Sequence, residues 1–224
     1  MSKIDTTLAE LRQAAEKHDS VCVMYSGGKD SMTVMDLCCR TFKRVEAFYM
    51  YFVPGLESEE AKLRFCKDRF GVTVRQMPHW ASIRSLRSWA YVDPQPALDL
   101  LPDWQLRDCY QLAMDDTGCP FVAAGAKKSD SSWRRRFMKG TEHWEFLLNP
   151  IADWNKFDTL GYLKAQGIPI PEARQGKNAT GLDLSMASLR HLQDGHPDDF
   201  ARLSEYFPYI GAAQAHREFF GGPE

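Results

Sequence analysis

The sequence predicts a three-layer α/β fold built around a mostly parallel sheet. Three observations carry that expectation. Short apolar runs rich in β-formers alternate with amphipathic stretches of helical period, as in successive βαβ units. The first such run, Val21 to Tyr25, is followed by a Ser-Gly-Gly turn that leads directly into a helix pattern. The composition, 44% hydrophobic and 26% charged over 224 residues, is that of an ordinary globular chain. That length suits one substantial domain and only marginally two. Collagen-like repeats, coiled coil and general disorder are excluded as overall descriptions.

Ile4, Leu8, Leu11 and Ala15 recur at helical spacing, with Thr6 and Thr7 near the expected start. Val21-Cys22-Val23-Met24-Tyr25 is too short for a buried helix and reads as a core strand. After the turn, Met32, Val34, Met35, Leu37 and Cys38 restore helical periodicity. Val45 to Val53 reads as the second strand, ended by Pro54-Gly55. Glu57 to Phe70 is an amphipathic helix with Leu63, Phe65, Cys66 and Phe70 on its apolar side; Gly71 caps it, and Val72-Thr73-Val74 opens a third strand. The stretch from Trp80 to Trp104 is broken by Pro94, Pro96 and Pro102. Leu106 to Thr117 is helical, Phe121 to Ala124 a fourth strand leading into Gly125, and Lys156 to Gln166 a further helix. The expected division is a nucleotide-binding α/β domain over residues 1–165 and an extension over 166–224 that packs on it.

Lys and Arg number 28 against 30 Asp and Glu, so no global positive field favours nucleic acid. The six cysteines form no C-x-x-C pair and have no His at finger spacing, which argues against a zinc site. The start MSKIDTTLAELRQ has no apolar signal core, and no apolar run reaches the roughly 20 residues that span a bilayer. A soluble protein of the reducing cytoplasm, with no membrane partner, is expected. Asn178-Ala179-Thr180 fits a glycosylation sequon but has no secretion route to give it meaning.

The informative element is Ser26-Gly27-Gly28-Lys29-Asp30-Ser31, set between a core strand and a helix. Two glycines let the backbone approach a ligand closely and adopt positive φ. The helix after them points free N–H groups and the positive end of its dipole at the same place, which makes an anion site. Ser26 and Ser31 add hydroxyls and Lys29 a mobile charge. Asp30 is discordant beside phosphates unless it caps the helix or helps to hold Mg²⁺. The spacing is neither that of the Walker loop nor that of the dinucleotide fingerprint.

The six residues resemble the S-G-G-x-D-S pyrophosphate loop of the PP-loop ATP pyrophosphatases, or adenine nucleotide α-hydrolases. The resemblance implies a Rossmann-like (HUP-type) fold with a five-stranded sheet. It also implies a loop that grips the β- and γ-phosphates of ATP while a nucleophile attacks the α-phosphorus, and the cofactor set ATP and Mg²⁺. A second block, Gly125-Ala126-Lys127-Lys128-Ser129-Asp130-Ser131-Ser132-Trp133-Arg134, is similar to the G-x-R-R-x-D-S-x-x-R block of the phosphoadenosine-phosphosulfate (PAPS) reductase branch. Pro150-Ile151-Ala152-Asp153-Trp154 is similar to that branch's P-I/L-x-D/E-W stretch, and the likeness spans roughly residues 20–185. It implies nucleotide contacts at Tyr25 through Ser31, Met50, Gly125, Lys128, Asp130 and Ser131. Lys29, Asp30, Lys127 and Arg134 are the expected catalytic set, and Asp30 the Mg²⁺ ligand. Tyr51-Phe52-Val53 replaces the reductases' small or acidic residues, so adenine recognition there would rest on backbone groups of Met50 and Tyr51.

The departures matter too. The reductases' nucleophilic cysteine lies in a C-terminal Glu-Cys-Gly-Leu-His, whereas all six cysteines here fall within the first 119 residues. The cysteine pairs of the cluster-bearing relatives are not recognisable either, so neither an iron–sulfur cluster nor zinc is expected. The expected activity is cleavage of ATP to AMP and pyrophosphate, or adenylylation of an acceptor. The alternative is a non-catalytic binder of adenine nucleotides or sulfonucleotides that works through a protein partner. No general base stands out: His79 and His143 sit in loops beside tryptophans. Arg135, Arg136 and Lys139 extend the basic run, and Trp133 to Phe137 interleaves aromatic with basic residues as single-strand sites do. The net acidity weighs against direct nucleic-acid binding. The aromatic C-terminus, Phe200 to Tyr209, is expected to dock on the core or on a second copy in a homodimer.

Overall fold

The computed structural model describes residues 2–138, 144–169, 182 and 184–220, with side chains to 216. Lys139, His143 and Asn178-Ala179-Thr180 lie outside the described residues. At the centre is β1 (Ser20–Met24), buried along its whole length as a strand covered on both faces must be. With β2 (Arg44–Tyr51), β3 (Val74–Pro78), β4 (Val122–Ala123) and β5 (Leu147–Leu148) it forms a five-stranded sheet in the order β3-β2-β1-β4-β5. Every pairing is parallel, with Val21 beside Val45 and Cys22 beside Val122. The α/β fold expected from the alternation is therefore what forms. The chain builds outward from β1 to β3 and then returns to β4 on β1's other side, which places the switch point between β1 and β4.

Helix α1 (Lys3–Lys17) starts earlier than Thr6, because Ser2 and Asp5 form a capping box. Helices α2 (Lys29–Cys39), α3 (Glu57–Phe70) and, later, α8 (Lys156–Ala165) share one sheet face with α1, around Val21, Val23, Met35, Leu37 and Leu163. The other face holds Cys22, Met24, Phe48 and Leu147 under α6 (Leu106–Thr117). The Trp80 to Trp104 stretch is less irregular than its prolines suggest. It holds α4 (Trp80–Arg87), capped by His79, and a short α5 (Pro96–Asp99) that Pro96 starts rather than breaks. After β4 comes α7 (Ser132–Phe137).

From residue 186 the described chain is mostly helical: α9 (Met186–Gly195), α10 (Pro197–Tyr206) and α11 (Ile210–Phe220). Leu189, Leu192, Leu203, Phe207 and Ile210 enclose Val53 and Leu56 in a third apolar cluster. The aromatic C-terminus thus divides: Phe207 is buried against the core, while Tyr206 and Tyr209 remain exposed. The junction is also polar. The Asp199 carboxylate accepts the first N–H groups of α3, from Glu57 (2.7 Å) and Ser58 (2.9 Å), and Arg202 Nε donates to the Pro54 carbonyl at 2.6 Å. No helix among the described residues is long and apolar enough to cross a membrane.

Candidate functional site

The loop between β1 and α2 is shaped by its glycines and clipped by its serines. Gly27 has φ +64°, a conformation that side chains resist, and a Cβ there would lie 2.6 Å from Lys62 Cβ on α3. Gly28 precedes α2 without a side-chain cap, so no cap side chain takes the first N–H groups of that helix. Ser31 is buried; its hydroxyl accepts the Ser26 N–H at 3.1 Å and donates to the Gly28 carbonyl at 3.0 Å. The Ser26 hydroxyl lies 3.2 Å from it. Ser31 therefore holds the loop's shape from inside, a structural task in addition to any contact with a ligand.

Across the switch point, the exit of β4 meets the start of α2. A Cβ on Gly125 would stand 3.0 Å from the Asp30 carbonyl carbon and 3.2 Å from the Ser31 nitrogen, so any side chain there would press on the start of α2. Two residues further on, Lys127 turns inward and is buried. Its ammonium lies 2.6 Å from Asp30 Oδ2 and 3.3 Å from Asp130 Oδ1. Lys29 reaches the same Asp30 oxygen at 2.8 Å, and Arg134 reaches Asp130 Oδ2 at 2.7 Å. The result is a ladder of alternating charge, Lys29–Asp30–Lys127–Asp130–Arg134. Burial pushes the Asp130 carboxyl up, but the Lys127 N–H, the Lys127 ammonium and Arg134 outweigh it and hold it below the usual carboxylate range.

All four expected catalytic residues are thus in one ladder. Lys128 instead spans the Asp153 carboxylate at 2.7 and 2.8 Å, and the Ser131 hydroxyl caps α7 through the Arg134 N–H at 3.1 Å. Asp30 carries two ammonium groups on Oδ2, while its buried Oδ1 has no hydrogen-bond partner among the described residues. No three or more His, Cys, Asp or Glu side chains among the described residues are grouped to hold a metal.

Beside the loop, at the carboxyl ends of β1 and β2, a cavity of about 120 Å³ is lined by Met24, Tyr25, Ser26, Phe48, Tyr49, Met50, Glu59, His79 and Leu182. The Phe48 carbonyl accepts the Tyr25 N–H at 2.7 Å. By strand alternation the Met50 peptide groups face the same side two residues later, past the end of β1 and toward the cavity. The Tyr51 carbonyl is taken by the His79 N–H at 2.8 Å. His79 itself stacks between Phe52 and Trp80, and its Nδ1 accepts the Ala81 N–H at 3.0 Å.

Sequence reasoning did not anticipate Tyr49, Glu59 and Lys62. The Glu59 carboxylate is buried, accepts the Tyr49 hydroxyl at 2.5 Å and pairs with Lys62. Their one signal was a charged i,i+3 pair on the buried side of an otherwise ordinary amphipathic helix.

No protein-family model matches the chain, and no curated protein matches it. Solved structures do share its fold. The NH3-dependent NAD synthetase from Campylobacter jejuni, in complex with nitrate, superposes with a TM-score of 0.54 at 16% identity, covering 99% of this chain and 96% of that one. The U34-tRNA thiolase NcsA from Methanococcus maripaludis, with its 4Fe-4S cluster, gives a TM-score of 0.50 at 13% identity, covering 96% of this chain and 79% of that one.

The thiolase overturns one expectation. The sequence pointed to ATP and Mg²⁺ with neither an iron–sulfur cluster nor zinc, yet a protein of this fold holds such a cluster, so that cofactor set does not stand. Cluster ligands converge in space and need not form a C-x-x-C pair, so their spacing in the sequence had no power to exclude one.

Proposed function

We propose that this chain binds ATP as a substrate and breaks its α–β phosphate bond, releasing pyrophosphate with either AMP or an adenylylated acceptor. The observation that carries the reading is the buried Lys127 ammonium. The fold delivers it from the far side of the switch point to the same carboxylate that Lys29 holds, at the mouth of an uncapped helix.

On this reading the loop N–H groups and Lys29 hold the β- and γ-phosphates, and the adenine edge meets the Met50 backbone in the cavity. The nucleophile, water or an acceptor oxygen, forms a bond to the α-phosphorus as the bond to the bridging oxygen breaks, and its proton passes to solvent. Charge then grows on the departing pyrophosphate and on the α-oxygens. Lys127 and Arg134, preorganised by Asp30 and Asp130, are placed to stabilise it without reorganising. The similarity of residues 125–134 supports a position beside the PAPS reductase branch. Cys109, a thiol near the site in sequence, is a poor substitute nucleophile: it is fully buried, and burial pushes it up to about 11.

The test is incubation with α-labelled ATP in magnesium buffer and identification of the products. AMP and pyrophosphate are expected, with a drop of about 10²–10³-fold for Lys29→Ala or Asp30→Ala. ADP and phosphate would refute the mechanism. Stabilisation by ATP without turnover would favour an accessory binder.

A further inference from the structure

The anion loop is touched by more than its own strand and helix. The stem of Lys62 lies against Gly27: a Cβ on that glycine would be 2.6 Å from Lys62 Cβ, 2.7 Å from Cδ and 2.9 Å from Cγ. The Tyr25 hydroxyl donates to the Lys62 carbonyl at 3.4 Å. Lys62 thus meets the loop through its side chain, and its carbonyl accepts from Tyr25, the residue just before the loop. Its ammonium pairs with Glu59, whose carboxylate lines the cavity beside Tyr25 and Ser26 and is held from behind by the Tyr49 hydroxyl. Glu59 and Lys62 both belong to the first two turns of α3. The start of that helix is fixed by Asp199, whose two oxygens take the N–H groups of Glu57 and Ser58 from 142 and 141 residues away in sequence. Leu56 supplies no side-chain cap of its own, so α10 provides the cap that α3 lacks.

We propose that Lys62 is a further phosphate-binding cation of the anion loop, and that Asp199, a positioning residue, sets its place by capping α3 from the C-terminal helices. The inference rests on the nucleotide reading above and deepens it. The ligand chemistry is a polyphosphate: Lys62 meets the phosphate loop at Gly27, beyond Ser26 on the cavity's rim, so it serves phosphates beyond the α-position and not the nucleoside. When a polyphosphate binds, its oxygens share the ammonium with Glu59. The C-terminal helices then belong to the nucleotide site, although no residue of α10 needs to touch the nucleotide.

Calorimetric titration of ATP and of AMP separates the possibilities. In Lys62→Met, which keeps the stem on Gly27, the ATP Kd should rise about tenfold or more, as the loss of a charge-assisted bond implies, with AMP within about twofold of wild type. Because that change strips buried Glu59 of its Lys62 cation, the pair Lys62→Met with Glu59→Gln removes both charges together and should show the same selective loss. Asp199→Ala should weaken ATP in the same direction, again sparing AMP, and Asp199→Asn, which keeps an acceptor, should recover part of the loss. An unchanged ATP Kd in both Lys62 variants overturns the proposal, as does an equal loss of ATP and AMP, the mark of a merely structural role. If the wild-type chain binds no ATP, the nucleotide reading falls and takes this one with it.

Discussion

Substituting Gly27 by alanine introduces two separate costs, and the structure provides a control for each. The first is backbone strain. Gly27 and Gly118 share a φ of +64°, but a Cβ on Gly118 meets nothing within 4 Å. Gly118→Ala therefore measures strain alone. The left-handed conformation costs about 1–2 kcal/mol for a residue with a Cβ, less about 0.4–1 kcal/mol because alanine restricts the unfolded chain. The net is about 1 kcal/mol, or a fall of about 2–4 °C in Tm for a domain of this size. Gly27→Ala bears the same strain and also drives a methyl into Lys62 Cβ at 2.6 Å. That atom adjoins the backbone of α3, so it cannot swing aside as a chain end would. Overpacking of this kind adds about 1–3 kcal/mol. Differential scanning calorimetry of both variants should place Gly27→Ala about 2–12 °C below Gly118→Ala, and Gly27→Ala alone should lose ATP binding. Equal melting of the two would show that Lys62 does not lie against the loop, and the geometry assigned to the site would fail.

Lys127→Met should cost about 3 kcal/mol, since it leaves Asp30 and Asp130 facing each other without the buried ammonium between them, and pyrophosphate release should fall with it; urea unfolding and a product assay read the two effects. The lowered Asp130 carboxyl sets an acid limb. Its stabilising contribution is present above the unfolded value near about 4 and is lost as pH falls through the lower folded value, so Tm followed downward from pH 5 should decline less steeply in Asp130→Asn. The alkaline limb has the opposite origin. Burial pushes the Cys109 thiol up to about 11 and Cys66 up to about 12, while unfolded thiols ionise near about 8.5. Stability should therefore fall as pH rises from about 9 toward those folded values, and Cys109→Ala should flatten part of the decline. At pH 8 Cys109 should react with a thiol reagent only as fast as the protein unfolds.

What the sequence made legible was whatever depends on neighbours along the chain. Val21 to Tyr25 reads as a core strand because five consecutive apolar residues are what a strand buried on both faces requires, and β1 is buried throughout. Helix α6, Leu106–Thr117, matches its expected ends, since Gly118 in the left-handed conformation closes it. Where a distant partner decides, local reading fails. β5 is only Leu147–Leu148, a strand because β4 lies beside it, and no two-residue pattern announces that. The same division runs through the site. Ser26 to Ser31 is a contiguous motif, and Lys127, Asp130 and Arg134 stand at i, i+3 and i+7 on one turn-and-helix, so both groups could be singled out. Lys62 and Asp199 come from helices whose own periodicity is unremarkable, and they reach the loop only through tertiary packing.

The charge ladder also explains why a lysine can be buried where Lys127 is. An isolated buried ammonium would be costly, whereas Asp30 and Asp130 give the Lys127 ammonium two counter-ions at 2.6 and 3.3 Å. Three cations against two carboxylates leave the ladder with one formal positive charge. That excess is small enough to fold around and of the right sign for an anion. On the proposed reading, a polyphosphate at the loop would not need to displace Asp30: its Oδ2 would stay on the two lysines, leaving the remaining directions of Lys29 and the uncapped N–H groups of α2 for the phosphates. Asp30 is therefore consistent with an anion site because it aims the cations, and the discordance of a carboxylate in a phosphate loop disappears once Lys127 is seen to share it.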